Sequence, residues 1–447
     1  MTETKIIVLD DDPTGSQTVH GCLLLTRWDP ETLSVALRDT SPLFFVLTNT
    51  RGMDAGRAAD LTRTVCRNLR AALDALAAQG QQIRPILVSR SDSTLRGHYP
   101  VETDVIAEEL GPFDAHFLVP AFFEGGRVTI DSTHYLMVDG RAVPVHDTEF
   151  ARDSVFGYST AYLPDYVAEK TRGRVPAAEV HRFLLAEVRG DLRSRLAALS
   201  GNACCVVDAE RQSDLDGFTA QVLEAVAAGK RFLFRSGASL LTALARLPPQ
   251  PMAPADMGRY RRGQAPGAVI VGSHVKKTTA QLGALLSEPG VAALEVDVDR
   301  IAAEGQRYRT EVSDRAATAF GRGLTPVIYT SRAERTFPDQ ATRLAFGEQV
   351  SAFLMDLVRS LPPDLGFLIS KGGITSNDVL SDGLALHSSR VLGQVLPGCS
   401  VVRCPDDHPR YPALPVVIFP GNVGDDDALA EVFRRMAQPR SEDPSST

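Results

Sequence analysis

The chain has no run of apolar residues long enough to span a bilayer, although 44% of its 447 residues are hydrophobic. A spanning helix needs about 20 such residues in succession, so no membrane partner is expected. Near Met1 there is no basic segment followed by an apolar core and a cleavage site, and a cytoplasmic location is expected. Cysteine is sparse. Cys22, Cys66, Cys204, Cys205, Cys399 and Cys404 show neither the density of a disulfide framework nor the Cys-x-x-Cys pairs of a zinc site, and are expected as buried free thiols. Long basic runs are missing and the formal net charge is -8, which argues against nucleic acid as a partner. An anionic ligand would then need a local cluster of arginines. Two nucleotide signatures are also missing. Gly272-Ser-His-Val-Lys-Lys-Thr-Thr279 lacks the second glycine of a P-loop, and no Gly-x-Gly-x-x-Gly follows an apolar strand.

The length exceeds what one core usually supports, since single domains stop growing at about 250 to 300 residues. Apolar runs recur at Ile6 to Leu9, Cys22 to Leu25, Leu43 to Leu47, Ile86 to Val88, His116 to Val119, Cys204 to Val207 and Arg231 to Phe234. Between them lie helical patterns. Leu61, Val65, Leu69, Leu73 and Leu76 fall on one stripe, and Val180, Leu184, Val188, Leu192 and Leu196 repeat it. Near-continuous apolar strands alternating with amphipathic helices predict an α/β protein of two domains, each with a mainly parallel sheet flanked by helices. Prolines at 248, 249, 251, 254 and 266 interrupt the pattern, where neither a helix nor a central strand is expected. The expected division is a substrate-binding domain at 1–246, a Pro-rich hinge at 247–267, a nucleotide-binding domain at 268–437 and a disordered tail at 438–447.

In a parallel sheet, functional loops leave the carboxyl ends of the strands, so Asp10, Asp11 and Asp12, directly after Ile6 to Leu9, occupy a ligand-binding position. Three adjacent carboxylates repel one another. They suit hydrogen bonding to substrate hydroxyls and general-base or Mg²⁺ work in phosphoryl transfer; the plain alternative is a solvated, helix-capping turn. Gly15 supplies backbone freedom there. Leu43 to Leu47 leads into Thr48-Asn-Thr-Arg51-Gly52, and Ile86 to Val88 leads into Arg90-Ser-Asp-Ser-Thr-Leu-Arg-Gly-His98. Arg51, Arg90 and Arg96 suit a carboxylate, while Ser91, Asp92, Ser93 and Thr94 suit vicinal hydroxyls. The inventory matches a small polyhydroxy acid. His20 and His98 lie nearby and fit structural hydrogen bonding at least as well as substrate contact.

Asp10-x-Asp12-x-Thr14 after an apolar strand also resembles the first motif of haloacid-dehalogenase-type phosphatases, with Thr48 in place for the second. That family requires a further lysine. The chain has none between Lys5 and Lys170. Late in the sequence, apolar runs end in Gly272-Ser273, Lys371-Gly372-Gly373-Ile374-Thr375 and Gly421-Asn422. Glycine turns allow backbone amides to approach phosphates closely. Lys371 could neutralise phosphate or be an exposed loop residue, and Asp425 to Asp427 suit the N-terminus of a following helix.

Together these segments resemble the four-carbon acid sugar kinase family, formerly a domain of unknown function, over nearly the whole chain. Asp11-Asp12-Pro13-Thr14-Gly15 matches its Asp-Asp-x-Thr-Gly opening, Arg51 an arginine after the second strand, and Asp92-Ser-Thr-Leu-Arg-Gly97 its Asp-Ser-Thr-x-Arg-Gly motif. The resemblance implies an ATP- and Mg²⁺-dependent kinase of threonate, erythronate or 3-oxo-tetronate. It implies acid-sugar binding by Asp11, Arg51, Arg90, Ser91, Asp92, Ser93, Thr94 and Arg96, with catalysis by Asp11 and Asp12. It places ATP on Ser273, Gly372, Gly373, Ile374, Thr375, Gly421 and Asn422. Pro13, Ser16 to His20 and Arg90 depart from the family's usual residues, which leaves the particular acid open. Transfer would require the two domains to approach each other; a homodimer is expected, and the Pro-rich stretch could let domains exchange within it. A non-catalytic acid-sugar sensor is the alternative outside enzymes.

Overall fold

The structure, a computed structural model, describes residues 3–332, 335, 337 and 339–438. The expected tail therefore lies, beyond Gln438, outside the described residues. Packing divides the chain into two units, Met1–Pro249 and Gln250–Thr447.

The first unit contains β1 (Glu3–Asp10), β2 (Leu23–Leu25), β3 (Leu43–Leu47), β4 (Ile83–Arg90), β5 (Ala115–Val119), β6 (Arg127–Ile130), β7 (Thr133–Val138), β8 (Arg141–Pro144), β9 (His181–Phe183), β10 (Ala203–Val207) and β11 (Phe232–Ser236). All except β6 to β8 form a parallel sheet in the order β2-β3-β1-β4-β11-β5-β10-β9. Strands β6 to β8 make a separate antiparallel sheet. The main strands are apolar throughout because both faces of the sheet are covered. On one face the helix Ala55–Ala78 turns Val65, Leu69 and Leu76 onto Ile7, Phe44, Val46 and Leu87. Its start is set by Asp54, whose side chain accepts from the Arg57 amide at 3.0 Å. Away from that group, Phe117 lies 5.3–5.7 Å, ring centre to ring centre, from Phe183, Phe218, Phe232 and Phe234.

The helix expected over Val180 to Leu196 is not continuous. The segment instead forms β9 and two short helices, Leu185–Val188 and Arg193–Ala198. Pairing of β9 with β10 extends the sheet by one strand, and that hydrogen bonding overrides a periodicity interrupted by Gly190. Val180, Val188, Leu192 and Leu196 are buried all the same.

The second unit contains β12 (Ala268–Val271), β13 (Val291–Val296), β14 (Thr325–Thr330), β15 (Leu368–Lys371), β16 (Ser388–Leu396), β17 (Cys399–Arg403) and β18 (Pro415–Phe419). Their order is β13-β14-β12-β15-β18-β17-β16, parallel as far as β18 and antiparallel from there on. Helices Lys276–Leu286 and Ala428–Ala437 contribute Leu282, Leu429 and Phe433 to a core with Val269, Phe367, Ile369 and Val417. The Pro-rich stretch differs from expectation. It holds a 3-10 helix, Pro254–Tyr260, in which proline occupies the first turn, where no amide donor is missed. Met257 joins the core of this unit, and Arg261 Nη1 donates to the Ala437 carbonyl at 2.6 Å. From Gln250 onward the stretch is therefore packed into the second unit. The six cysteines are buried and, among the described residues, form no disulfide, and no helix there is long and apolar enough to cross a membrane.

Phe117→Ala should destabilise the first unit by about 3–5 kcal/mol, because four ring contacts and the surrounding packing are lost at once. Urea denaturation followed by fluorescence or circular dichroism checks this.

Candidate functional site

Strand β1 lies between β3 and β4, so the loops that follow these strands diverge from one crevice at their carboxyl ends. Register brings the chemistry together: Asp10 stands opposite Leu47 of β3 and Arg90 of β4, and Arg90 stands opposite Ser236 of β11.

At the centre a single guanidinium holds two carboxylates. Arg51 Nη2 is 2.5 Å from Asp11 Oδ1, Nε is 3.3 Å from Asp11 Oδ2, and Nη1 is 3.0 Å from Asp12 Oδ2. Backbone bonds hold the arrangement, with the Asp11 amide donating to the Arg90 carbonyl and the Arg51 amide to the Asp11 carbonyl. Asp12 Oδ1 also accepts from the amide and hydroxyl of Thr14 at 2.8 and 2.6 Å. Burial would raise the Asp12 carboxyl, but Arg51 and Thr14 outweigh it and keep the group ionised below its ordinary range. Asp92 behaves alike: burial is overcome by Arg51 and by Arg96, whose Nε is 2.7 Å from Asp92 Oδ2.

Asp10 goes the other way. It is fully buried, its Oδ2 has no hydrogen-bond partner, and Arg90 reaches it only at 3.7 Å. Burial, reinforced by Asp11 and Asp12, pushes its pKa up to about 8 despite Arg90. A protonated, enclosed carboxyl is a poor nucleophile. Lys5 and Lys170 offer no help to the phosphatase reading, since Lys5 Nζ binds the carbonyls of Asp39 and Ser41 and Lys170 Nζ those of Phe156 and Gly157.

The loop after β4 supplies the remaining expected groups. Ser91 Oγ sits 2.8 Å from both Asp11 Oδ2 and the Arg96 carbonyl. Thr94 Oγ1 donates to Asp92, and Arg96 also approaches Asp153 at 3.7 Å. The conformation needs Gly97: at φ +120° a Cβ there would lie 2.4 Å from Ser91 Oγ and 2.9 Å from Asp11 Oδ2. Ser93 contributes through its carbonyl, which accepts from His134 Nε2 at 2.8 Å, so Nδ1 accepts from Thr129 Oγ1 at 2.9 Å. Burial holds His134 neutral, with its pKa lowered to about 4. Arg90 faces Asp10 and lies beneath the loop. His98 bonds the carbonyls of Thr50 and Met53, and His20 lies 2.8 Å from that of Pro248. Both act structurally.

Behind this group is a layer that the sequence did not reveal. Arg235, on β11, donates to Ser91 Oγ at 2.7 Å, to Ser89 Oγ at 2.6 Å and to Glu102 at 2.5 Å, and Glu102 accepts from Thr50 Oγ1 at 2.5 Å. Arg235 also lines a pocket with Ser91, Asp92, Arg96, Tyr99 and Tyr166. An arginine closing the apolar run Phe232 to Phe234 was the available signal, the same one that drew notice to Arg90.

In the second unit, β12, β15 and β18 are adjacent and parallel, so the three glycine turns meet. A Cβ on Gly272 would lie 2.3 Å from Thr375 Oγ1; one on Gly372, at φ +116°, 2.9 Å from Ser273 Cβ; and one on Gly421, 3.7 Å from Ser273 Oγ. Ser273, Gly372, Thr375 and Gly421 thus form one cradle. Gly373 opens the short helix Gly373–Asp378, Ile374 is 69% exposed, and Asn422 follows Gly421 on the rim. Lys371 is not a loop lysine. It is fully buried, and its Nζ donates to the Pro420 carbonyl at 2.6 Å and lies 3.2 Å from that of Gly421. Burial lowers its pKa to about 7. Arg332, after β14, was missed from sequence; its Nη1 donates to the Ser273 carbonyl at 2.7 Å. Among the described residues no group of three or more His, Cys, Asp or Glu is placed to hold a metal ion.

Comparison with known proteins finds two family models that match the chain. Residues 6–244 match a sugar-binding N-terminal domain and residues 268–429 a nucleotide-binding C-terminal domain. A D-erythronate kinase of Heliobacterium modesticaldum is 28% identical over 221 residues, 48% of this chain and 47% of that protein, so the match spans about half of the relative's length. Two crystal structures share the fold. A Salmonella typhimurium LT2 protein provisionally described as a tRNA synthase superposes with a TM-score of 0.68 at 18% identity, over 96% of this chain and 98% of that one. The Haemophilus influenzae protein HI1011, of the DUF1537 family, gives 0.63 at 17%, over 96% and 100%.

Because Asp10 is protonated in the fold up to about pH 8 yet ionises near 3.8 when unfolded, stability should fall as pH rises between those values. Asp10→Asn should flatten that slope. Its Tm is expected to exceed the parent's at pH 8, by about 2–4 °C per kcal/mol gained, with the gap closing towards pH 5, as calorimetry across that range would record.

Proposed function

The chain belongs to the four-carbon acid sugar kinase family, and on that footing we propose that it transfers a phosphoryl group from ATP to a hydroxyl of a small sugar acid such as threonate, erythronate or 3-oxo-tetronate. The observation that carries this reading is the Arg51 guanidinium clamped between Asp11 and Asp12 at the crevice of a parallel sheet. Among the two carboxylates the geometry favours Asp12 as the group that meets the acceptor hydroxyl. Its side chain is 20% exposed, against 2% for Asp11, which is occupied by Arg51 and Ser91. Asp12 is ionised at neutral pH and can accept a hydrogen bond, and then the proton, from a hydroxyl whose oxygen is being phosphorylated. Asp11 holds Arg51 in place. In this reading Asp92, Ser93 and Thr94 meet the polyol, and Arg51 and Arg96 offer further N–H groups to its oxygens.

The cradle of the second unit fits a nucleotide. Backbone at Gly372 and Gly421 comes within van der Waals reach of Ser273, leaving amides rather than side chains at the surface, and the exposed Ile374 offers an apolar platform beside them. Ser273, Gly372, Gly373, Thr375, Gly421 and Asn422 would hold the phosphates. ATP bound there would supply the phosphoryl group, with Mg²⁺ offsetting the charge of its phosphates. Lys371 fixes the Pro420 and Gly421 carbonyls from beneath and so shapes the turn without touching the nucleotide.

ADP release with ATP and Mg²⁺ across a panel of C4 and C5 aldonic and oxo-aldonic acids tests the reading. Acid-dependent turnover is expected, falling about 10²–10⁴-fold in Asp12→Asn. Binding of an acid without turnover would make the protein a sensor, and phosphate release from sugar phosphates without ATP would make it a phosphatase. Gly372→Ala, which brings a Cβ against Ser273 at a positive φ, should raise KM for ATP about tenfold, from roughly 1–3 kcal/mol of strain, while KM for the acid stays unchanged.

A further inference from the structure

We infer that Arg127 carries the uncompensated positive charge that receives the carboxylate of the acid substrate. The inference rests on the reading of the first unit as an acid-sugar site and adds a residue that the motifs do not include.

Arg51 is shared by Asp11 and Asp12, Arg96 is bound by Asp92 and lies 3.7 Å from Asp153, and Arg235 is bound by Glu102. Arg90 also leaves its buried Nε unpartnered, and its carboxylate neighbour, Asp10 at 3.7 Å, holds a proton, but the Arg90 side chain is only 5% exposed and closed to a ligand. The other three arginines each already have a carboxylate. A ligand carboxylate added to these alone would compete with the protein's own acids, at a cost that hydrogen bonds to hydroxyls do not offset.

Arg127 differs. It is partly buried at the start of β6, forms no ion pair among the described residues, and leaves its buried Nε without a hydrogen-bond partner. Its one side-chain hydrogen bond among the described residues, from Nη1, goes to the Gly125 carbonyl, and its guanidinium lies 5.9 Å from the centre of the Phe122 ring. The position is tied to the substrate loop. Thr129 stands opposite His134 across β6 and β7, and the His134 ring bridges Thr129 Oγ1 and the Ser93 carbonyl. Arg127 precedes Thr129 by two residues and so shares its side of the strand. Asp92 and Arg96 are among the charges that act on it. A guanidinium withdrawn from water without a counter-ion is unfavourable, and a ligand carboxylate reverses that cost through a charge-assisted pair. In this arrangement Asp92, Ser93 and Thr94 meet the hydroxyls, and Arg127 fixes which end of the acid lies nearest the small antiparallel sheet.

The test is calorimetric titration of the full chain, without ATP, with erythronate and threonate and with their neutral amides. The parent protein should favour an acid over its amide by tenfold or more, the scale of one charge-assisted hydrogen bond. Arg127→Met should bring that ratio near one, with Tm unchanged or higher because a charge without a counter-ion is removed. Arg127→Lys, which keeps the charge but not the planar fork, should fall between and guards against a folding defect in the first variant. A ratio that survives Arg127→Met, or no preference for acid in the parent, overturns the inference. Loss of the preference in Arg127→Met while the parent releases no ADP with any acid would leave this inference standing and sink the kinase.

Discussion

The site depends on how three consecutive carboxylates are kept together at the end of one buried strand. Coulomb repulsion between neighbouring charges in a poorly solvated crevice would splay the turn or melt it. The chain resolves the conflict in two ways. Asp10 gives up its charge by holding a proton, and Asp11 and Asp12 share one guanidinium. Arg51 can do this because the Asp11 carbonyl accepts its backbone amide, so the loop that carries the cation is bound to the turn it neutralises. Lysine could not replace it, since a point charge lacks the fork that spans two acids.

Around that pair the protein builds outward in shells of satisfied polar groups. Ser91 links Asp11 to Arg235, Arg235 reaches Glu102, and Glu102 returns through Thr50 to the loop that bears Arg51. The circuit ties the carboxyl ends of β1, β3, β4 and β11 together through side chains as well as through the sheet. Such a closed network is stiff, because moving one member strands another buried polar atom. The second unit reaches a comparable end by other means: a buried lysine pins two carbonyls, and glycines strip side chains from the cradle.

What could be read in advance follows from the range of the forces involved. The strand Leu43–Leu47 and the helix around Leu61 to Leu76 were legible because burial on a sheet leaves a local pattern. The places of Asp11, Asp12, Arg51 and Asp92 just after strand ends could be read in the same way. The segment from Val180 to Leu196 misled because its helical spacing competed with pairing to a strand more than twenty residues away, which no local window contains. Glu102 and Arg235 are 133 residues apart and meet only in three dimensions. Lys371 illustrates a different limit, since a lysine beside glycines looks solvent-facing until its carbonyl partners, about fifty residues on, are known.

Gly15 shows what the protonated aspartate imposes on inheritance. A Cβ there would lie 1.8 Å from Asp10 Oδ2, so side-chain volume at the two positions is held in common. With an acid at 10, even alanine at 15 is barred; the route to it runs through a smaller residue at 10 first. Substitutions at the pair are therefore order-dependent, and drift can change Gly15 only in lineages that have already surrendered the acid.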